Sequence, residues 1–128
     1  DARSRMSPSA SGPVLQVFGR EDHQDTRAAL RFFKERRVTV QFVDLRRKPM
    51  AAGELRRFVE RLGAPALADT KGRAWMDDGL GYLRMDPADL AGRLLADQRL
   101  LRIPLIRLAN GFVAGRDEAA WTALIEKA

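Results

Sequence analysis

The chain of 128 residues contains no cysteine and a single histidine, His23. The first absence excludes disulfides, thiolate catalysis and cysteine-ligated metal. The second leaves one side chain whose ordinary pKa lies near neutrality. Aromatic residues are scarce, at 7%. None is interleaved with basic residues as a base-stacking platform for nucleic acid requires, so direct nucleic-acid binding is not expected as the primary activity. No apolar run is long enough to span a bilayer, and the first residues carry no signal-peptide pattern. No membrane role is expected, and a cytoplasmic location is.

Apolar residues make up 45% of the chain and charged residues 31%, a balance that suits one globular domain. The net charge of +6 is unevenly spread: residues 27–61 hold eleven Lys/Arg against four Asp/Glu, a local +7 that leaves −1 for the rest. Most of these charges fall at solvent-side positions of two amphipathic helices. Phe32, Phe33 and Phe58 fit the apolar faces of the same helices.

Residues 1–12, DARSRMSPSASG, are small and polar without periodicity. A disordered tail is expected there, with Met6 as a natural start and residues 1–5 as an addition, ahead of one domain over residues 13–128. Val14–Phe18 reads as a strand, and a helix is expected from Gln24 or Asp25 to about Arg37. Val38, Val40 and Phe42 then alternate with polar residues before Val43, predicting a second strand. This β-α-β spacing favours parallel strands joined by a right-handed crossover. After Pro49 a helix places Leu55, Phe58, Val59 and Leu62 on one face and stops at Gly63. Residues 64–85 read as irregular or short-helical. Asp86-Pro87-Ala88-Asp89 starts a further helix, with Asp86 as its cap. Leu105–Leu108 and Phe112–Ala114 flank Asn110-Gly111, which suits a type I′ hairpin turn. Asp117 caps a last helix with Trp121, Leu124 and Ile125 inward. Trp75 and Trp121 read as packing residues.

Three short stretches in this order carry a family likeness: Phe18-Gly19, His23 and Arg27-Ala28-Ala29-Leu30; then Asp69-Thr70-Lys71-Gly72-Arg73-Ala74-Trp75; then Ile103-Pro104-Leu105 and Gly115-Arg116-Asp117-Glu118. Over residues 14–127 the chain resembles the arsenate reductase (ArsC) and Spx family. The resemblance implies an α/β, thioredoxin-like fold: a mixed sheet of about four strands, with a helical insertion between the β-α-β unit and the C-terminal hairpin. It also implies a cis bond before Pro104.

The departures are chemical. His23 takes the place of the family's nucleophilic cysteine, and Thr26 that of the second cysteine of Spx-like members. Lys71 and Ile103 replace two arginines that bind oxyanion, while Arg102 and Arg116 lie one position from the expected arginines. Glu21, Asp22 and Asp25 add negative charge where the family holds an anion. The positions equivalent to the family active site are thus His23, Thr26, Arg27, Lys71, Ile103 and Pro104, with no catalytic residue among them. Arsenate reduction needs a sulfur nucleophile, and imidazole neither forms a disulfide nor accepts two electrons. One imidazole with Asp22 and Asp25 is a poor set of ligands for zinc or copper, so neither metal nor cofactor is expected. Nothing marks His23 as a general base. It reads as a residue capping or flanking the helix, and Asp22 or Asp25 as helix caps.

The expectation is therefore a cysteine-free ArsC/Spx-like protein that binds or regulates through a protein partner. The alternative is an arsenate reductase-like, glutathione- or anion-binding oxidoreductase or transferase that borrows an external thiol. In the Spx branch a glycine and an arginine eight residues later contact the α subunit of RNA polymerase, and Gly63 and Lys71 have that separation here. With Arg56 and Arg57 they form the partner-binding candidates.

Overall fold

The computed structural model describes residues 14–126; the expected tail, residues 1–12, lies outside them. The helices α1 (Gln24–Glu35), α2 (Ala52–Leu62), α3 (Ala64–Leu67), α4 (Arg73–Asp77), α5 (Pro87–Ala96) and α6 (Glu118–Glu126) accompany the strands β1 (Leu15–Gly19), β2 (Val40–Asp44), β3 (Leu105–Leu108) and β4 (Gly111–Ala114). The four strands form one mixed sheet in the order β2-β1-β3-β4, with β1 parallel to β2 and antiparallel to β3. The helical segment α2–α5 is inserted between the β-α-β unit and the hairpin, as expected.

Alternation along β1 and β3 splits the core into two layers. Leu15, Val17 and Ile106 pack with Phe32, Phe33 and Trp121 of α1 and α6, while Phe18 and Leu105 pack with Leu55, Phe58, Leu67 and Leu94 on the other side. Both tryptophans are buried in these layers. The basic block of residues 27–61 is not one surface, because α1 and α2 belong to opposite layers with the sheet between them.

Two local details also differ from the sequence reading. The hairpin registers Leu108 opposite Gly111, so the connecting pair is Ala109-Asn110 rather than Asn110-Gly111, and a positive φ falls on Ala109 (54°) alone. Gly111 is in β4, where a Cβ would overlap Leu124 Cδ1 of α6. Its glycine serves a close approach rather than a turn. Helix α1 stops at Glu35 because Arg37 turns left-handed (φ 58°) while Val38 N–H donates to Phe33 O at 3.0 Å, an ending that sequence usually marks with glycine.

The last residue of β1 positions the site. A Cβ on Gly19 would overlap the side chain of Thr26, which is fully buried in the first turn of α1. Threonine is branched at Cβ and has little rotamer freedom with which to yield. Gly19→Ala is expected to lower stability by about 1–3 kcal/mol. Thr26→Ala in the same chain should recover part of that loss, and chemical denaturation of the two single variants and the double variant measures the coupling.

Candidate functional site

The site candidate is the turn from Gly19 to Thr26, where a strand end meets a helix start. His23 is the N-cap of α1: its backbone is extended (φ −87°, ψ 128°), and its Nδ1 accepts from Thr26 N–H at 3.3 Å. Thr26 Oγ1 lies 3.2 Å from the same nitrogen and accepts from Arg20 N–H at 3.4 Å. An accepting Nδ1 assigns the ring proton to Nε2. Burial holds the His23 pKa below its ordinary 6.5, with Arg20 acting in the same direction; the carboxylates of Asp25, Asp69 and Asp22 oppose the shift without reversing it. The ring is therefore a neutral cap at neutral pH. Its Nδ1 lone pair is already engaged by the helix, so that nitrogen is not free to act as a base.

The expected aspartate caps are absent because those carboxylates have cationic partners. Asp22 Oδ1 is 3.2 Å from Arg20 Nε and its Oδ2 is 3.5 Å from Arg46 Nη1, while Asp25 pairs with Arg116 at 3.7 Å. Glu21 faces Arg47 at 3.9 Å. Arg20 Nε is buried, and the Asp22 contact is too poorly directed to give its N–H a hydrogen bond. The acid-rich loop is thus matched locally by arginines. These are exposed pairs, which contribute little to folding.

Beside His23 lies a cleft of about 520 Å³. Its walls come from the turn after β2, including Arg46 and Pro49, and from the α5–β3 connection, including Asp97, Arg99 and Ile103; Arg20 and Asp69 complete the mouth. Asp69 is carried there by a backbone bridge in which its N–H donates to Leu100 O at 2.9 Å and Arg102 N–H donates to Leu67 O at 2.7 Å. Two arginines share one arrangement. Arg46 donates to Asp44 through its backbone N–H (2.9 Å), Nε (3.4 Å) and Nη2 (3.3 Å), and Arg99 repeats the same three bonds to Asp97 at 3.1, 3.0 and 2.7 Å. These hydrogen bonds hold both carboxyls below their ordinary range.

The structure brings together only some of the residues singled out by sequence. His23 and Ile103 line the cleft, Thr26 is buried beneath His23, and Pro104 follows a cis bond, the isomer that the resemblance implies. Arg27 is exposed on α1, and Lys71 is exposed in the turn before α4; neither lines the cleft. Arg102 lies over Gly115 and Arg116 reaches Asp25, so neither arginine points to the cleft as a substitute. Among the described residues no group of three His, Asp or Glu is placed to hold a metal, and no helix is long and apolar enough to cross a membrane. Sequence reasoning missed Arg20, Asp69 and Arg99. The available signal was the repeated Asp-x-Arg of Asp44-Leu45-Arg46 and Asp97-Gln98-Arg99, in which an aspartate can bond the backbone two residues on.

No protein-family model matches the chain, and no curated protein sequence does. Solved structures do match. The YffB protein superposes with a TM-score of 0.78 at 19% identity, covering 86% of this chain and 97% of its own. For a possible arsenate reductase from Streptococcus mutans the values are 0.72, 19%, 89% and 99%. An arsenate reductase from Vibrio cholerae gives 0.73, 14%, 91% and 98%. At these identities the likeness concerns the fold: the chain has a thioredoxin-like, ArsC-type fold and no cysteine.

The cap geometry fixes the pH response. Between the lowered folded-state pKa and 6.5 the unfolded chain binds the His23 proton and the folded chain does not, so stability falls as pH drops through that window and levels off below it. His23→Asn keeps a cap and should abolish this step, whereas His23→Ala should cost about 0.5–2 kcal/mol at neutral pH. Denaturant unfolding of the three proteins from neutral to mildly acidic pH measures both effects.

Proposed function

We propose that this protein is a non-catalytic member of the ArsC/Spx-like group that acts by binding a protein partner. The observation that carries this reading is the imidazole at the nucleophile position, whose Nδ1 is committed to capping α1. Arsenate reduction would need a thiolate at that turn and cations free to hold the oxyanion. The chain has no cysteine, Lys71 stands away from the cleft, and Ile103 supplies an apolar wall.

On this reading the partner surface is the exposed side of α2. Arg56 and Arg57 are exposed there, and among the described residues neither has an acidic partner. Gly63 ends α2 (φ 85°), and Lys71 is exposed in the turn before α4. Other arginines of the block have local roles: Arg46 is held by Asp44, and Arg61 Nη2 donates to Asn110 O at 2.8 Å. The α subunit of RNA polymerase, suggested by the Spx resemblance, is the first partner to test.

A glutaredoxin- or thioredoxin-coupled assay should show no arsenate-dependent turnover above background, and enzyme-proportional turnover would overturn the proposal. His23→Cys alone should restore little activity, because positions 71 and 103 still lack arginine. The borrowed-thiol alternative draws on the cleft beside His23; turnover with glutathione as the only thiol would favour it. For the partner, reversing Arg56 and Arg57 to glutamate should slow association without changing thermal stability. The difference should fade as salt shortens the Debye length from about 10 Å at 0.1 M to about 3 Å at 1 M. Equal binding by wild type and double reversal at both salt concentrations would remove α2 as the docking face.

A further inference from the structure

We propose that the cleft beside His23 is a receptor for a compact organic dicarboxylate, held between Arg46 on one wall and Arg99 on the other. Two equivalent guanidinium clamps face the same space. In each, one edge of the fork, Nε and Nη2, is bound to the aspartate two residues earlier, so the plane of the guanidinium is set before any ligand arrives. Setting the donor in advance removes much of the side-chain ordering cost that a flexible arginine incurs on binding. Among the described residues Arg99 Nη1 has no acceptor, and Arg46 Nη1 has only Asp22 at 3.5 Å.

The spacing between the walls is also fixed. Gln98, between Asp97 and Arg99, places its side-chain amide against the Met50 peptide: its Oε1 accepts from Met50 N–H at 2.8 Å, and its Nε2 donates to Met50 O at 2.7 Å. This paired contact ties the α5–β3 connection to the turn that carries Arg46. The apolar part of the lining comes from Leu45, Pro49, Leu95, Leu101 and Ile103, with Arg20, His23 and Asp69 at the mouth. Two donors oriented by their own aspartates, together with an apolar lining, suit two carboxylates joined by a short hydrocarbon chain, and a cleft of about 520 Å³ has the size of a small-molecule site.

The flanking charges define selectivity. Asp22 competes for Arg46, Asp69 adds negative charge at the mouth, and Asp77 and Asp78 act on Arg99 from α4 and its end. A ligand must therefore satisfy both clamps to displace the internal competition, and a single carboxylate meets only one. Neither clamp stands at position 71 or position 103, the places where the resemblance puts the oxyanion arginines. It is independent of the α2 surface, so its failure leaves the partner reading untouched.

The test is titration of the ¹⁵N-labelled 128-residue chain with adipate and with hexanoate, read by amide and arginine Nε–H shifts. Adipate at millimolar concentration is expected to give saturable shifts at Arg46, Arg99 and the cleft walls, and hexanoate to bind about tenfold more weakly or not at all. Arg46→Lys and Arg99→Lys keep a cation beside each aspartate but lose the fork, and each should weaken adipate about tenfold. Gln98→Ala should weaken it with every charge in place, Asp22→Asn should tighten it about two- to fivefold, and Arg31→Ala, at an exposed position of α1, should change nothing. Absence of saturable shifts in the wild type, equal affinity for adipate and hexanoate, or unchanged affinity in both lysine variants would overturn the proposal.

Discussion

The geometry of the site depends on the buried side chain of Thr26. Its methyl and hydroxyl fill the space that only glycine leaves open at the end of β1, so Gly19 and Thr26 fix how the strand enters the helix. The hydroxyl also accepts from the backbone of Arg20 and meets the His23 ring. One residue thus sets the direction of β1 relative to α1, the path of the intervening turn and the seat of the cap. With no exposure to water, the hydroxyl has to find protein partners for its hydrogen bonds, and the turn supplies them.

Charge around the cleft follows a local rule. Arginines are matched by acids two residues away in Arg20-Glu21-Asp22, Asp44-Leu45-Arg46, Asp97-Gln98-Arg99 and, on the far side of the turn, Arg116-Asp117-Glu118. Such neighbours meet at little chain-entropy cost, because the turn that joins them is already formed. The consequence is directional. A guanidinium bound along one edge by its own carboxylate keeps donors only on the other edge, which orients it as a hydrogen-bonding group more than as a free charge. Formal net charge is therefore a poor guide to what this surface attracts. The +7 of residues 27–61 is divided between two sides of a sheet and partly spent on Asp44, Asp22 and Glu21.

The elements were legible in the sequence where a periodic apolar face coincided with a cap, as at Asp86-Pro87 and Asp117. Asp86 Oδ1 accepts from Asp89 N–H at 2.8 Å and Asp117 Oδ1 from Ala120 N–H at 3.0 Å. Boundaries slipped where the deciding residue was not of the usual type. Arg37 ends α1 in a left-handed conformation that glycine more often adopts, and Ala109 holds the positive φ of the hairpin while Asn110 and Gly111, the expected pair, do not. At the site, His23 was visible as a residue capping or flanking the helix, because the strand and helix patterns bracket it. The cleft was not, since Arg46, Asp69 and Arg99 come from three separate connections. The bridge between residues 67–69 and 100–102 and the Gln98–Met50 contact help to bring them to one place.

The turn also shows why the scaffold and the chemistry can part. An amide at a helix start needs an acceptor, and Thr26 N–H takes it from position 23. A thiolate and a neutral imidazole both answer that need. The difference lies in what the acceptor can do next: the thiolate keeps further lone pairs for attack on a substrate, whereas the imidazole has one acceptor nitrogen and presents an N–H on its other side. Protonation removes even that lone pair and places a positive charge where the helix dipole disfavours it. Burial and the helix start thus act together to keep His23 neutral. Imidazole at this position is a structural cap on the first turn of α1.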